Sequence, residues 1–309
     1  MEHISVLKND VEKLLDLKEG NVVIDTTLGL GGHALGLLKK IGKTGKLIAF
    51  EQDERNLVEA KKRLSDYKDQ IIYIHDNFRY LKNRVEEQNI KKVSAILFDL
   101  GLSSPHVDDQ TRGFSFLKDG PLDMRFDPRQ KLTAEDVINA YGEQKLANIF
   151  YEYGEERFSR ILAKKIVEQR KKQRITSTLE LAELITKYYP KWNFKTSPAT
   201  KVFQALRIEV NDEISALKEA LEQSVQILAI GGKIAIIAYH SLEDRVVKQF
   251  FKELVQPKSH GEESLYKSFS DPIFIPLTKK PVVPSEQEIA DNKRSRSAKL
   301  RVYQKLKEV

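Results

Sequence analysis

NVVIDTTLGLGGHA, residues 21–34, joins a short apolar run to an acid and then to a loop carrying Gly29, Gly31 and Gly32. Val22, Val23 and Ile24 favour a buried parallel strand ending at Asp25, and the residues from His33 onward read as helix. A strand, a glycine-rich turn and a helix N-terminus in that order form a nucleotide cradle. Glycine lets the backbone approach a ligand closely and adopt positive φ. A second strand, KLIAFEQD (46–53), ends in acid about 20 residues further on, the spacing at which such folds hold ribose hydroxyls. The region therefore predicts a site for a ligand carrying adenosine.

Working outward, SVLKNDVEKLLDL (5–17) has Val6, Leu7, Val11, Leu14 and Leu15 at helical spacing, closed by Gly20. Residues 33–42 and 55–67 read as crossover helices, IIYIHDN (71–77) as a third strand and VSAILFDLG (93–101) as a fourth. Strands alternating with helices of this length predict βαβ units and a parallel sheet. Residues 108–130 are rich in turn formers and lack a sustained period, so they read as a long loop of the kind that is usually functional. A helical block follows. Thr133 with Asp136 opens one helix; Phe158, Ile161, Leu162 and Ile166 stripe a second; Ser177 with Glu180 opens a third; Pro198 begins another. The α/β pattern then resumes with an amphipathic helix in NDEISALKEALEQSVQILAIGG (211–232), which the glycine pair is expected to end. KIAIIAYH (233–240) reads as a fifth strand, and FIPLTKKPVVP and KLRVYQKL as edge strands. The prediction is a discontinuous α/β domain, 1–107 and 211–309, interrupted by a helical domain at 108–210.

Composition narrows the chemistry. The 309 residues contain 52 Lys and Arg against 45 Asp and Glu, a net charge of +7 that suits a polyanionic partner. There is no cysteine, which excludes disulfides, cysteine-ligated zinc, iron–sulfur clusters and a thiolate nucleophile. No apolar run reaches the ~18 residues of a membrane span and MEHISVLKND lacks a signal-peptide core, so the cytoplasm is the expected compartment.

The second informative stretch is FDLGLSSPHVDD (98–109), at the carboxyl end of strand four, the end that faces the ligand crevice in open α/β sheets. With DTTLGLGGH (25–33), RGFSFLKDGPLDMRFD (112–127), YGEERFSR (153–160), SPATKVFQALRIEVN (197–211), YHSLEDRVVK (239–248) and DNKRSRSAKLR (291–301), it resembles the MraW (RsmH) family across essentially the whole chain. These are bacterial S-adenosylmethionine-dependent methyltransferases that modify the N4 amine of a cytidine in 16S ribosomal RNA, near the decoding centre.

The resemblance implies a Rossmann-like class I methyltransferase sheet with an inserted helical substrate-recognition domain. It places cofactor contacts at Gly31, Gly32, His33, Glu51, Phe78, Asp99 and His106. Glu51 stands where the family usually has Asp, and His106 where it often has Gln. The implied partner is 16S rRNA in the small ribosomal subunit. The apolar runs predict no membrane partner, no residue is assigned as a metal ligand, and monomer and homodimer both stay open.

Lack of cysteine bears on the acceptor independently of the family. Methylating carbon 5 of cytosine needs a thiolate attack on the ring, so the acceptor here must already carry a lone pair, as an exocyclic amine does. That amine is delocalised into the ring and needs acceptors on its N–H bonds. Candidates are the Asp99 carboxylate, Ser103 Oγ and the backbone carbonyls of Leu100–Pro105, those of Ser104 and Pro105 among them. For RNA the candidates are Arg112, Phe114, Phe116 and Arg125 in the long loop, His240 in HSLEDR, the basic run KKIVEQRKKQR (164–174), and Lys293, Arg294, Arg296, Lys299 and Arg301 in the tail. Two rival readings stay open at this level. Gly29-x-Gly31-x-x-Ala34 also satisfies a dinucleotide fingerprint and so an NAD dehydrogenase; an RNA-binding assembly factor with a vestigial cofactor site would carry the same basic clusters.

Overall fold

In the strands, residues alternate between two cores. Val23, Leu47, Ala49, Ala95, Leu97, Ala235 and Ile237 pack into one, while Ile24, Ile48, Phe50, Ile96, Phe98, Ile234 and Ile236 pack into the other. A sheet buried on both faces needs near-continuous apolar strands, which is why these segments carry so few polar residues. The computed structural model describes residues 5–189, 197–255 and 271–308. Its strands are β1 (Val22–Asp25), β2 (Lys46–Phe50), β3 (Ile71–Ile74), β4 (Val93–Asp99), β5 (Leu228–Ala238), β6 (Phe274–Pro276) and β7 (Lys299–Lys305). They form a sheet in the order β3-β2-β1-β4-β5-β7-β6, parallel through β5, with β7 antiparallel to both β5 and β6. The chain winds outward from β1 to β3 and then returns to add β4 on the other side, so β1 and β4 flank the switch point where ligands bind in such sheets.

The helices are α1 (Lys8–Leu15), α2 (Gly32–Ile41), α3 (Glu54–Arg63), α4 (Leu81–Glu86), α5 (Ser104–Asp108), α6 (Ala134–Ala140) and α7 (Glu143–Glu152). They continue with α8 (Ser159–Arg170), α9 (Thr178–Tyr188), α10 (Ala199–Asn211), α11 (Glu213–Ile227), α12 (Ser241–Val255) and α13 (Glu286–Asp291). α1, α2 and α3 cover the first core through residues such as Val11, Leu37 and Leu57; α4, α11 and α12 cover the second through Val85, Leu221 and Phe251. No helix among the described residues is long and apolar enough to cross a membrane.

Two compact units result, Met1–Gly101 with Ile214–Val309, and Leu102–Glu213. The second has its own core of residues from α6 to α10, including Ile138, Phe150, Leu162, Leu181 and Leu206, together with Leu122 and Met124 from the preceding loop. The unit begins before the SSPH turn, whereas hydrophobic periodicity puts the boundary after it, because His106 packs against Phe114 and Phe126. Thr133 and Asp136 form the expected reciprocal cap of α6, and Ser177 caps α9 by accepting from the Glu180 N–H.

Elsewhere the local pattern misleads. Gly231 and Gly232 do not end α11. The helix stops at Ile227, and the glycines lie in a bulge of β5, between the pairs Val93–Leu228 and Ala95–Lys233. The joint is held from β7: Lys305 is fully buried, and its ammonium donates to Val225 O (2.8 Å), Leu228 O (2.9 Å) and Glu308 Oε2 (2.7 Å). A lysine thus does what a glycine cap does elsewhere, satisfying carbonyls at the end of a helix. α7, buried through Leu146, Ala147, Ile149 and Phe150, is an element the periodicity reading passes over, and Ile161 on α8 is exposed while Ala163 takes the core position.

Replacing Lys305 by methionine strands these two buried carbonyls without a donor, and each stranded group costs about 1–3 kcal/mol. The expected loss in urea denaturation is roughly 3 kcal/mol. Lys68→Met, at an exposed position, is expected to shift stability by less than about 0.5 kcal/mol.

Candidate active site

The loop after β1 is tied to both neighbouring strands. Thr26 donates from its N–H and its hydroxyl to Leu97 O on β4, each at 2.9 Å, and the Leu28 N–H donates to Phe50 O on β2 at 2.9 Å. Gly31 caps α2 with φ of 77°, a left-handed backbone that side chains rarely adopt. An added Cβ would meet Ser5 Oγ at Gly32 and press on Leu64 at Gly31, where the positive φ already favours glycine. The equivalent direction at Gly29 is open.

Three acids stand along this edge. Glu51, the residue after β2, accepts from the Gly29 N–H through Oε2 and from the Asp53 N–H through Oε1, each at 2.8 Å. Burial nevertheless pushes its carboxyl up to about 8, against the opposing pull of those two donors. Asp25 ends β1. Its Oδ1 accepts from the Thr27 N–H at 3.1 Å, while its Oδ2 is buried with no hydrogen-bond partner among the described residues. Burial pushes this carboxyl up to about 7, with Asp99 adding to the rise. Asp99 ends β4, and its N–H donates to Thr27 Oγ1 at 2.8 Å. Its Oδ1 accepts from the Tyr239 hydroxyl at 2.8 Å, and its Oδ2 lies 3.6 Å from Nε2 of His33 in the first turn of α2. His33 and Asp99 therefore open onto the same place. Phe78 follows β3, its ring half-buried and held edge-to-face against Phe98 at 5.8 Å. Tyr239 has no role in the motif reading; the available signal is its position at the carboxyl end of a strand adjoining β4.

His240 lies at the start of α12 with Nε2 3.0 Å from Glu243 Oε1, and the buried Glu243 also accepts from the N–H groups of Tyr239 (2.8 Å) and His240 (3.2 Å). Arg294 and Arg296 are exposed on a 3₁₀ turn, Lys293–Ser297. Lys299 and Arg301, by contrast, are committed to Asp244.

In the second unit Ser103 caps α5, with Oγ 2.9 Å from His106 Nδ1, and Ser104 and Pro105 form its first turn. His106 is buried, its ring 5.1 Å from Phe114 and 4.9 Å from Phe126, which stack on each other at 5.2 Å. The Arg112 guanidinium is buried over Phe114. Arg125 forks onto Asp123 at 2.8 and 2.7 Å and donates to Pro128 O and Gln130 O, which braces the long loop. Phe114 and Arg125 are thus brought together as loop scaffolding, and Phe114 offers no exposed stacking plate in this conformation. The basic run on α8 is also partly structural: Arg170 donates to Ile138 O and Tyr141 O, Lys165 pairs with Glu168, and Arg174 with Glu135.

Comparison with known proteins agrees with this geometry. The model of the MraW methylase family matches residues 1–306. The ribosomal RNA small subunit methyltransferase H of Clostridium botulinum is 46% identical over 307 residues, covering 99% of each chain. The enzyme of that name from Carboxydothermus hydrogenoformans is 46% identical over 306 residues, covering 98% of each. That from Streptococcus mutans is 43% identical over 309 residues, covering 99% of this chain and 98% of its own. The chain belongs to the MraW methylase family, enzymes that use S-adenosylmethionine, and its sheet is that of the class I methyltransferases.

Proposed function

We propose that the enzyme methylates the exocyclic N4 of a cytidine in 16S ribosomal RNA of the small subunit, near the decoding centre, and so works in the cytoplasm. One observation carries the reading: His33 and Asp99 face each other at the switch point of a methyltransferase sheet, in a chain without the cysteine that carbon-5 chemistry needs. The names of the relatives support the RNA, and a net charge of +7 suits it.

The edge residues fit a cationic adenosine cofactor. Asp25 offers a buried, unpartnered carboxylate oxygen, Glu51 keeps lone pairs for ribose hydroxyls, Phe78 offers an apolar face to adenine, and Gly29 leaves the loop backbone approachable. When bound, S-adenosylmethionine supplies an electrophilic methyl group on a good leaving group. Alignment and charge fall to the protein. Asp99 Oδ2 accepts an N–H of the amine, turning its lone pair out of conjugation. Ser103, already engaged with His106, is the weaker candidate, and Ser104 and Pro105 shape the turn that follows Asp99. Arg112, Phe114 and Arg125 order the long loop as a surface for RNA; His240, Arg294 and Arg296 contribute positioning and phosphate contacts.

Incubating small subunits that lack the modification with labelled S-adenosylmethionine is expected to put label on one cytidine, identified by mass spectrometry as N4-methylated. Label at carbon 5, on another base, or absent altogether contradicts the reading. Asp99→Ala is expected to lower turnover more than about tenfold at full cofactor occupancy.

Cofactor affinity should also depend on pH. Asp25 and Glu51, raised to about 7 and 8, hold protons in the free enzyme that a cationic ligand must expel. Rising pH removes that cost, so affinity climbs between pH 6 and 8 by up to about tenfold per unit for each proton released and then levels. Asp25→Asn flattens the lower part of the curve. Calorimetry that finds wild-type affinity independent of pH contradicts the assignment.

A further inference from the structure

Tyr239 sits one residue beyond β5, which runs parallel to β4 with Ile237 opposite Asp99. That register carries the phenol across to the end of β4. Gly101 makes room for it: a Cβ there would lie 2.7 Å from a ring carbon of Tyr239. The backbone is pinned from the other side, where the Tyr239 N–H donates to Glu243 at 2.8 Å, and the ring packs on the core beneath the sheet. The result is a 2.8 Å hydrogen bond from the hydroxyl to Asp99 Oδ1.

We propose that Tyr239 is a positioning residue for methyl transfer. By occupying Oδ1, it locks the Asp99 carboxylate in one rotamer and leaves Oδ2, on the His33 side, as the oxygen that receives the amine. The proposal rests on the reading of Asp99 as the amine acceptor.

Three roles are open to a tyrosine in this place. It does not act as a base, because its proton is directed at Asp99, and burial together with that neighbouring acid pushes the hydroxyl well above its ordinary range. If it only filled space, phenylalanine would serve as well, and the charge-assisted bond to the carboxylate would have no consequence. As a permanent donor it removes the rotational freedom of a short side chain whose placement has to be correct to a few tenths of an ångström, and it fixes which carboxylate oxygen faces His33 on α2.

The test is a double-mutant cycle on the full-length enzyme with Tyr239→Phe, Asp99→Asn and the pair, measuring kcat, KM for both substrates and the melting temperature. Tyr239→Phe is expected to lower kcat about 10- to 100-fold and to leave KM for S-adenosylmethionine within about threefold. In the Asp99→Asn background it is expected to add almost nothing. Gly101→Ala displaces the ring while keeping the hydroxyl, and is expected to lower kcat with the same unchanged KM; it carries the test if Tyr239→Phe does not fold. Wild-type kcat in the folded variants, with only the melting temperature lowered, overturns the proposal. Full kcat in Asp99→Asn is a different failure: it removes the acceptor reading of Asp99 on which the proposal stands.

Discussion

Two threonines hold the active edge together. Thr26 ties the end of β1 to Leu97 O through both its N–H and its hydroxyl, and Thr27 accepts the Asp99 N–H while donating its own N–H to Asp25. These bonds cross the switch point, where parallel strands diverge and ladder hydrogen bonds run out. Without them the ends of β1 and β4 would be free to separate, and the acids they carry would lose their common orientation. The 3.6 Å approach of His33 to Asp99, and the place of Asp25 beside them, go with this seam.

The seam gathers negative charge in a place that water reaches poorly. Asp25 and Glu51 are buried with backbone N–H groups for company and no cation, and both carboxyls rise to near or above neutrality in consequence. Such an arrangement works against the stability of the empty protein, since stability is lost as rising pH ionises groups that titrate near 4 when unfolded and near 7 or 8 when folded. Folds tolerate strain of this kind where a ligand relieves it. In the function proposed above, a cofactor bearing a sulfonium and an ammonium would supply positive charge near Asp25.

Much of this was legible in the sequence, for a physical reason. A sheet buried on both faces writes itself as apolar strands, so the glycine loop after β1 and the acids at the ends of β2 and β4 were legible from spacing, while His33 was singled out by the family resemblance alone. What escaped depended on partners distant in sequence. Gly231 and Gly232 look like a helix stop, but the helix ends earlier because Lys305, on the last strand, reaches its carbonyls. The partners that brace Phe114 and Arg125, namely His106, Phe126 and Asp123, were not read from the motif. Tyr239 opens the YHSLEDRVVK block, but its partner could not be read from it, because its hydroxyl finds Asp99 only through the pairing of β4 with β5.

The measurement that bears most directly on this arrangement is a crystal structure of the enzyme with S-adenosylhomocysteine. The expected result has ribose hydroxyls on Glu51, the adenine against Phe78, and the sulfur at the gap between the Gly29–His33 loop and Asp99, with the Tyr239–Asp99 bond intact. A ligand bound away from the ends of β1 and β4, or one that leaves Asp25 and Glu51 without a polar partner, would contradict it.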